Sequence, residues 1–419
     1  MHRRISFDVR CSMFGVRCSL VVASAFFAMQ SSVAQADSWT IVDGSLKPVP
    51  TSSLSIDPTG SIRGDGANPS AAPFESPANN FVSAKRTDLP VATTLPEGQF
   101  VLHLASGARL VGRPVSSTDE TLTWNSDLLG ERSVALSQVV RIDRALAPTS
   151  TDAAPLEEDL ATLANRDVVR GVLTAIDAES LIITVGEQPT TVALNLLTSL
   201  RLAAVAEPAD AATYAVTLID GSIIRGGKLK SISADEWSIT TPLGGPAATE
   251  LKLSTNHVAR IEHLAGPVRW LSAMTPTAVE YTPYLGESFP PTMDTTTGSA
   301  AGPIVAGDHT YERGIGMHAR TIITFPLDGS RTSFRTRYAA QPGLSRTDAD
   351  VRIRLDDRTV HEARVTGGFI SDPIKLDLGT AKTLTLEVDF GSGLHTQDHV
   401  NWLEPALLNE TVEAVEPAE

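Results

Sequence analysis

Between Val268 and Leu408 apolar and polar residues alternate with a period of two. Val351, Ile353 and Leu355 fall to one side while Arg352 and Arg354 fall to the other, and Leu384, Leu386, Val388 and Phe390 oppose Thr383, Thr385, Glu387 and Asp389. This period places successive side chains on opposite faces of a strand, so one face of each strand is buried and one is wet. Asp328-Gly329, Gly367-Gly368 and Gly391-Ser-Gly393 break the runs. The pattern predicts an antiparallel sandwich of jelly-roll type over residues 268–409.

The middle of the chain repeats itself. Leu104-Ala-Ser-Gly-Ala-Arg-Leu-Val-Gly112, Leu163-Ala-Asn-Arg-Asp-Val-Val-Arg-Gly171 and Leu218-Ile-Asp-Gly-Ser-Ile-Ile-Arg-Gly226 each read as a strand ending on Leu, a two-residue turn, and a second strand reaching a glycine. Asp-Gly is a strong hairpin signal because the type I′ turn needs positive φ at both central residues, and Asn165-Arg166 is a weaker version. Each copy continues through Thr121-Leu-Thr-Trp124, Ser180-Leu-Ile-Ile-Thr184 or Glu236-Trp-Ser-Ile-Thr240 to a last apolar segment at Ile142, Leu202 or Ile261. About five short strands per copy match a small barrel or curved sheet. The copies span 96–146, 159–203 and 213–265, with Ala/Pro/acidic linkers between them, and Asp43-Gly44 suggests a degenerate fourth. Residues 37–95 read otherwise as a short strand segment followed, from about 60, by a flexible linker rich in Pro, Ser, Ala and Asn.

Composition adds limits. A chain of 419 residues exceeds what one core usually organises. Residues 1–36 read as an export signal: Arg3, Arg4, Arg10 and Arg17, an apolar Cys18–Met29, and Ala34-Gln-Ala36 before Asp37. Both cysteines lie in it, so the mature chain would hold no thiol and neither disulfides nor thiolate chemistry. Cleavage takes the formal charge from −15 to −18, with the loss of four Arg and Asp8. Such an acidic chain lacks the basic footprint that nucleic acid requires. An exported location, periplasmic, cell-surface or extracellular, is expected, with no membrane span once the signal is removed. Residues 410–419 read as a disordered acidic tail.

Seven blocks carry a family resemblance: Tyr281-Thr-Pro-Tyr284, Gly307-Asp-His-Thr-Tyr311, Arg313-Gly-Ile-Gly-Met-His318, Phe325-Pro-Leu-Asp-Gly329, Val351-Arg-Ile-Arg-Leu-Asp356, Leu384-Thr-Leu-Glu-Val388 and Asp398-His-Val-Asn-Trp402. In this order they resemble the NPCBM/NEW2 family of carbohydrate-binding modules. The resemblance implies an all-β chain in which tandem small β-barrel or β-sheet repeats precede a galactose-binding-like jelly-roll sandwich. Two departures are the Ala339-Ala-Gln-Pro-Gly343 segment after Tyr338, and Asp356-Asp357-Arg358 where Asp-Gly is common. Asp357 is the residue expected to take the left-handed conformation there.

A sugar site needs an apolar surface for the ring's C–H face and fixed polar groups for its hydroxyls. The candidates are His318, Arg320, Asp398, His399, Asn401 and Trp402. The competing reading makes Trp402 a core residue and His318 and Asp398 partners of loop backbone. No cofactor is certain, and calcium is the candidate ion, with Asp294, Asp308 and Asp398 as candidate ligands. His395 and His399 lie in a loop-like run, which does not support a zinc helix. Nucleophile-elbow, zinc-protease, P-loop and dinucleotide motifs are absent from the sequence, so a non-enzymatic glycan binder is expected. The expected partner is a glycan or glycoconjugate. Other cell-envelope proteins are the partners if the sandwich is instead structural, and a glycosidase is the third reading.

Overall fold

The computed structural model describes residues 38–67, 70–146, 156–203, 205, 212–243, 249–284, 289–298 and 302–409. The expected signal at 1–36, with both cysteines, the tail at 410–419, and most of the linkers at 147–155 and 203–212 lie outside them. Among the described residues no helix is long and apolar enough to cross a membrane. The architecture is almost entirely β, as the alternation predicts.

The amino-terminal region holds a fourth full copy of the repeat. Copy one comprises β1 (Trp39–Asp43), β2 (Pro48–Thr51), β3 (Ser55–Ile56), β4 (Ile62–Gly64), β5 (Phe74–Ser76) and β6 (Phe81–Arg86). Copy two comprises β7 (Phe100–Leu104), β8 (Arg109–Ser117), β9 (Thr121–Ser126), β10 (Gly130–Ala135) and β11 (Val139–Asp143). Copy three has β12 (Asp159–Leu163), β13 (Val168–Ile176), β14 (Ser180–Val185), β15 (Gln188–Ala193) and β16 (Leu197–Arg201). Copy four has β17 (Tyr214–Leu218), β18 (Ile223–Gly226), β19 (Leu229–Ser231), β20 (Glu236–Thr241), β21 (Thr249–Ser254) and β22 (Val258–His263). In each copy a single 3₁₀ turn precedes the last strand, which returns to pair with the first.

The expected flexible linker from residue 60 is therefore corrected over its described part. Ile62, Phe81 and Ala84 are fully buried, in a core that copy one shares with the other copies. A segment too poor in apolar residues to fold alone is stabilised by its neighbours' surfaces.

The hairpins also differ from the expected type. Gly107 N donates to Leu104 O at 2.8 Å and Leu104 N to Ala108 O at 2.9 Å, so a type I turn is followed by one left-handed bulge residue. That residue is Gly107 in copy two, Arg166 in copy three, Gly221 in copy four and Leu46 in copy one, and it alone has positive φ in each turn. The glycine at the fourth position of each second strand in copies two, three and four has another cause. A Cβ there would lie 2.1 to 2.3 Å from the carbonyl oxygen of Asn125, Thr184 or Thr240 on the crossing strand.

Spatial order does not follow chain order. The main sheet runs β13-β12-β16-β11-β7-β8-β18-β17-β22-β6-β1-β2, which places the copies three, two, four, one. Copies three and two join through their last strands (Ile142 opposite Leu200), and so do copies four and one (Ile261 opposite Ala84). Both pairs share a further bond: Ile176 N donates to Ser117 Oγ, and Ile56 N to Ser231 Oγ, each at 2.9 Å. Copies two and four meet through the starts of their second strands, with Arg109 opposite Ile223.

The carboxy-terminal sandwich comprises β23 (Arg269–Trp270), β24 (Ala278–Tyr281), β25 (Thr292–Met293), β26 (Ile304–Ala306), β27 (His309–Tyr311), β28 (Gly314–His318) and β29 (Thr321–Pro326). It continues with β30 (Ser333–Ala340), β31 (Asp348–Leu355), β32 (Arg358–Thr366), β33 (Ile374–Asp377), β34 (Thr383–Phe390) and β35 (His399–Leu408). One sheet is β25-β28-β35-β30-β33, with β23 also on β35, and the other is β24-β29-β34-β31-β32. Ile315, Met317, Phe334, Tyr338, Val400 and Trp402 pack against Ile323, Phe325, Val351, Ile353, Leu386 and Val388. At the β31–β32 turn it is Asp356, not Asp357, that is left-handed (φ 53°), with its carboxylate accepting from Lys382 N and Thr383 N.

Candidate functional site

The site is built on β28 and β35, which pair so that His318 lies opposite His399 and Gly316 opposite Asn401. Strand alternation sends Ile315 and Met317 into the core, leaving Gly314, Gly316 and His318 on the outer face. A Cβ on Gly316 would lie 2.6 Å from Thr295 O and 2.7 Å from Thr297 N. The Gly-x-Gly pattern thus lets the 292–297 segment lie directly on the sheet.

Aromatic rings gather where these strands end. His318 and His399 cross edge to face with centroids 4.5 Å apart, and Phe289 covers both at 4.9 and 5.3 Å. His318 Nε2 lies 3.2 Å from His395 O. On the outer side Tyr284 stacks on His395 (4.7 Å, 17° between planes) and meets the edge of Phe390 at 5.5 Å. Tyr284 is 45% exposed and Leu394 beside His395 is 52% exposed. The arrangement is a wet aromatic face backed by a buried cluster.

Electrostatics beneath the cluster are set by burial. Burial, reinforced by the positive potential of His318, lowers the His399 pKa to about 4, against a smaller contribution from the Thr297 backbone. Burial also raises Asp398 to about 6, with Asp348 and Asp350 adding like charge and the Asp348 N–H bond at 2.9 Å opposing. Asp348, by contrast, is held at about 2 by Arg364 and Ser392.

Most of the residues expected to contact sugar hold the fold instead. Trp402 is fully buried in the sandwich core against Tyr338, so its ring offers no face to a ligand. Asn401 is 1% exposed beneath the segment on Gly316, and His318 is 3% exposed. Asp398 is wholly buried, with its backbone carbonyl accepting from Ala319 N. Arg320 lies in the bend between β28 and β29 and turns to the opposite sheet, 3.7 Å from both Glu387 and Asp389 of β34. Of the predicted set only His399, half-buried, remains within the ring cluster with some surface.

The calcium candidates are not brought together. Asp294 is left-handed, pairs with Arg313 at 2.6 Å and accepts from Gly314 N. Asp308 is exposed at the β26–β27 turn, and Asp398 is buried beside Asp348. Among the described residues no group of three His, Cys, Asp or Glu side chains is placed to hold a metal ion. The three aspartates do not fit one ion, since a guanidinium already neutralises the first.

Tyr284, Phe289 and His395 are the site residues that sequence reasoning missed. Tyr281-Thr-Pro-Tyr284 was legible only as a family block.

Residues 268–408 match the family model of the NPCBM/NEW2 domain. Among solved structures, the chain is similar to a CBM51 module of a Clostridium perfringens GH95 protein, solved in complex with methyl-galactose: 20% identity over 33% of this chain and 99% of that one, TM-score 0.30. It is also similar to the CBM51-2 and INT domains of Clostridium perfringens ZmpB in complex with GlcNAc (15% identity, 45% of this chain, 44% of that one, TM-score 0.29). A third likeness is to the tandem CBM51 modules of the family 98 glycoside hydrolase of Streptococcus pneumoniae, at 8% identity over 74% and 88% of the chains, TM-score 0.30. No curated protein matches the chain.

Proposed function

We propose that the chain is an exported, non-catalytic protein that binds a galactose-type or related glycan at the open end of its sandwich. The observation that carries this reading is the exposed face of Tyr284, held flat by its stack on His395. A ring immobilised in this way presents an apolar surface to a sugar's C–H face at little entropic cost. The NPCBM/NEW2 domain supports the carbohydrate class. Carboxylates of the sandwich serve structure: Glu387 is ion-paired with Arg354 and Arg352, and Asp348 and Asp350 with Arg364.

Glycan-array binding by the full chain, with Tyr284→Ala and His395→Ala in parallel, tests the reading. Binding by the wild type that falls at least about tenfold in both variants, with circular dichroism unchanged, is the expected result. A folded wild-type chain with no signal sinks the carbohydrate reading, whereas binding that survives Tyr284→Ala moves the site elsewhere.

A further inference from the structure

The repeat array contains its own rule for joining copies, and one edge obeys that rule without a partner. In copy two the hairpin bond from Leu104 N to Ala108 O fixes the ladder, so the backbone of Arg109 and Val111 faces away from β7. Copy four repeats this with Leu218 N to Ser222 O, turning Ile223 and Arg225 outward. These outward positions are where the two copies meet. Arg109 bridges Ile223, Val111 N donates to Ser222 Oγ at 2.9 Å, and Arg225 Nη1 donates to Ser106 O at 3.1 Å.

The same positions lie at both ends of the array. In copy one they are Pro48 and Pro50, opposite Val42 and Thr40 on β1. Proline has no N–H to donate, so that edge is blocked against strand addition. In copy three Leu163 N donates to Asp167 O, and the outward residues are Val168 and Arg170. Both keep their N–H groups. Among the described residues no strand pairs with this half of β13 on its outer side.

Apolar side chains are exposed beside this edge. Val168 is 49% exposed where copy two has Arg109, and Leu196 is 51% exposed where copies two and four have Gln138 and His257. Val172, also on β13, is 60% exposed. An unprotected edge flanked by apolar residues is a template for another strand.

We infer that copy three's β13 edge pairs with the same edge of a second copy of this chain, forming a two-fold dimer. Arg109 and Ile223 both occupy the position of Val168, so the internal seam, repeated between identical copies, sets Val168 against Val168. Copy one's prolines rule out head-to-tail growth, and the assembly closes at two chains.

Sedimentation of the full chain tests this. A reversible dimer is expected, and Arg170→Pro, which removes an outward N–H without touching a β12 hydrogen bond, should weaken it at least tenfold. Should that variant misfold, Val168→Lys places a charge on the same edge and is expected to act alike. Val168→Cys in a Cys11→Ser, Cys18→Ser background should yield a disulfide-linked dimer on mild oxidation, and Val49→Cys on copy one should not. A chain that stays monomeric at all concentrations, a dimer that persists in both edge variants, or an open polymer overturns the inference.

Discussion

The array and the sandwich solve the burial problem in opposite ways. The sandwich uses strands of eight to ten residues (β30, β31, β34 and β35) and closes a core of its own. The array uses mostly shorter strands, and its four copies contribute to a single apolar cluster. Units of this size bury too little alone, so each copy's stability resides largely in its neighbours. The proposed glycan site accordingly sits on a loop end of the sandwich, and the proposed self-association on a backbone edge of the array.

The largest test of this contrast compares two fully buried tryptophans. Trp402→Ala should cost about 3–5 kcal/mol and lower protection from hydrogen exchange in the sandwich first. Trp237, 5.6 Å from Trp39 of copy one, links two copies across their seam. Trp237→Ala should cost as much but loosen copies four and one together. A single transition in which both variants lose protection everywhere would break the contrast.

Tyr284→Ala sharpens it from the other side. If the proposed site is right, losing this exposed ring should cost at least about 1.4 kcal/mol of glycan affinity, the equivalent of tenfold, while Tm stays within a degree or so.

The buried titrating pair gives a signed pH effect. Asp398 is raised from 3.8 to about 6, so its contribution is full below about pH 4 and is lost as pH climbs through 6. His399 is lowered from 6.5 to about 4, so its contribution is full above 6.5 and is lost as pH falls through 4. The two slopes oppose each other in the wild type. Asp398→Asn should remove one, leaving stability that falls by up to about 2.5 kcal/mol as pH drops from 6.5 to 4, less the part that solvent screens at the half-buried His399 ring. Chemical denaturation at stepped pH checks this, and a variant parallel to the wild type refutes it.

The smallest expected effect lies in the array's turns. Arg166 holds a left-handed conformation that Gly107 and Gly221 fill without a Cβ. Arg166→Gly should therefore stabilise the chain by up to about 1 kcal/mol, read as a rise in denaturant midpoint.

Where a residue's fate depends on strand parity, it was legible in the sequence. Val351, Ile353 and Leu386 are buried as their alternation requires. Trp402 is buried in the core beside Val400, as the competing core reading of that tryptophan has it, and residue type alone left the sugar-platform reading open beside it. Copy one was legible only at its first turn, Asp43-Gly44, because its second strand is divided between β2 and β3 and its left-handed turn residue is Leu46 rather than glycine. The order three, two, four, one was beyond reach for another reason. Four copies with one hydrophobic pattern offer equivalent edges, and pairwise choices such as Ser117 on Ile176 decide among them. Tyr284 escaped because no periodicity governs a loop ring.

The spatial order has a consequence for synthesis. Copy one leaves the ribosome first, yet the surface it packs on belongs to copy four, and Ser231 lies 175 residues beyond Ile56. At roughly 5–20 residues per second, β6 waits about 10–35 s for β22. Copies two and three can pair during that interval. The nascent amino terminus is thus the part of the array that most needs shielding from other chains while the protein is made.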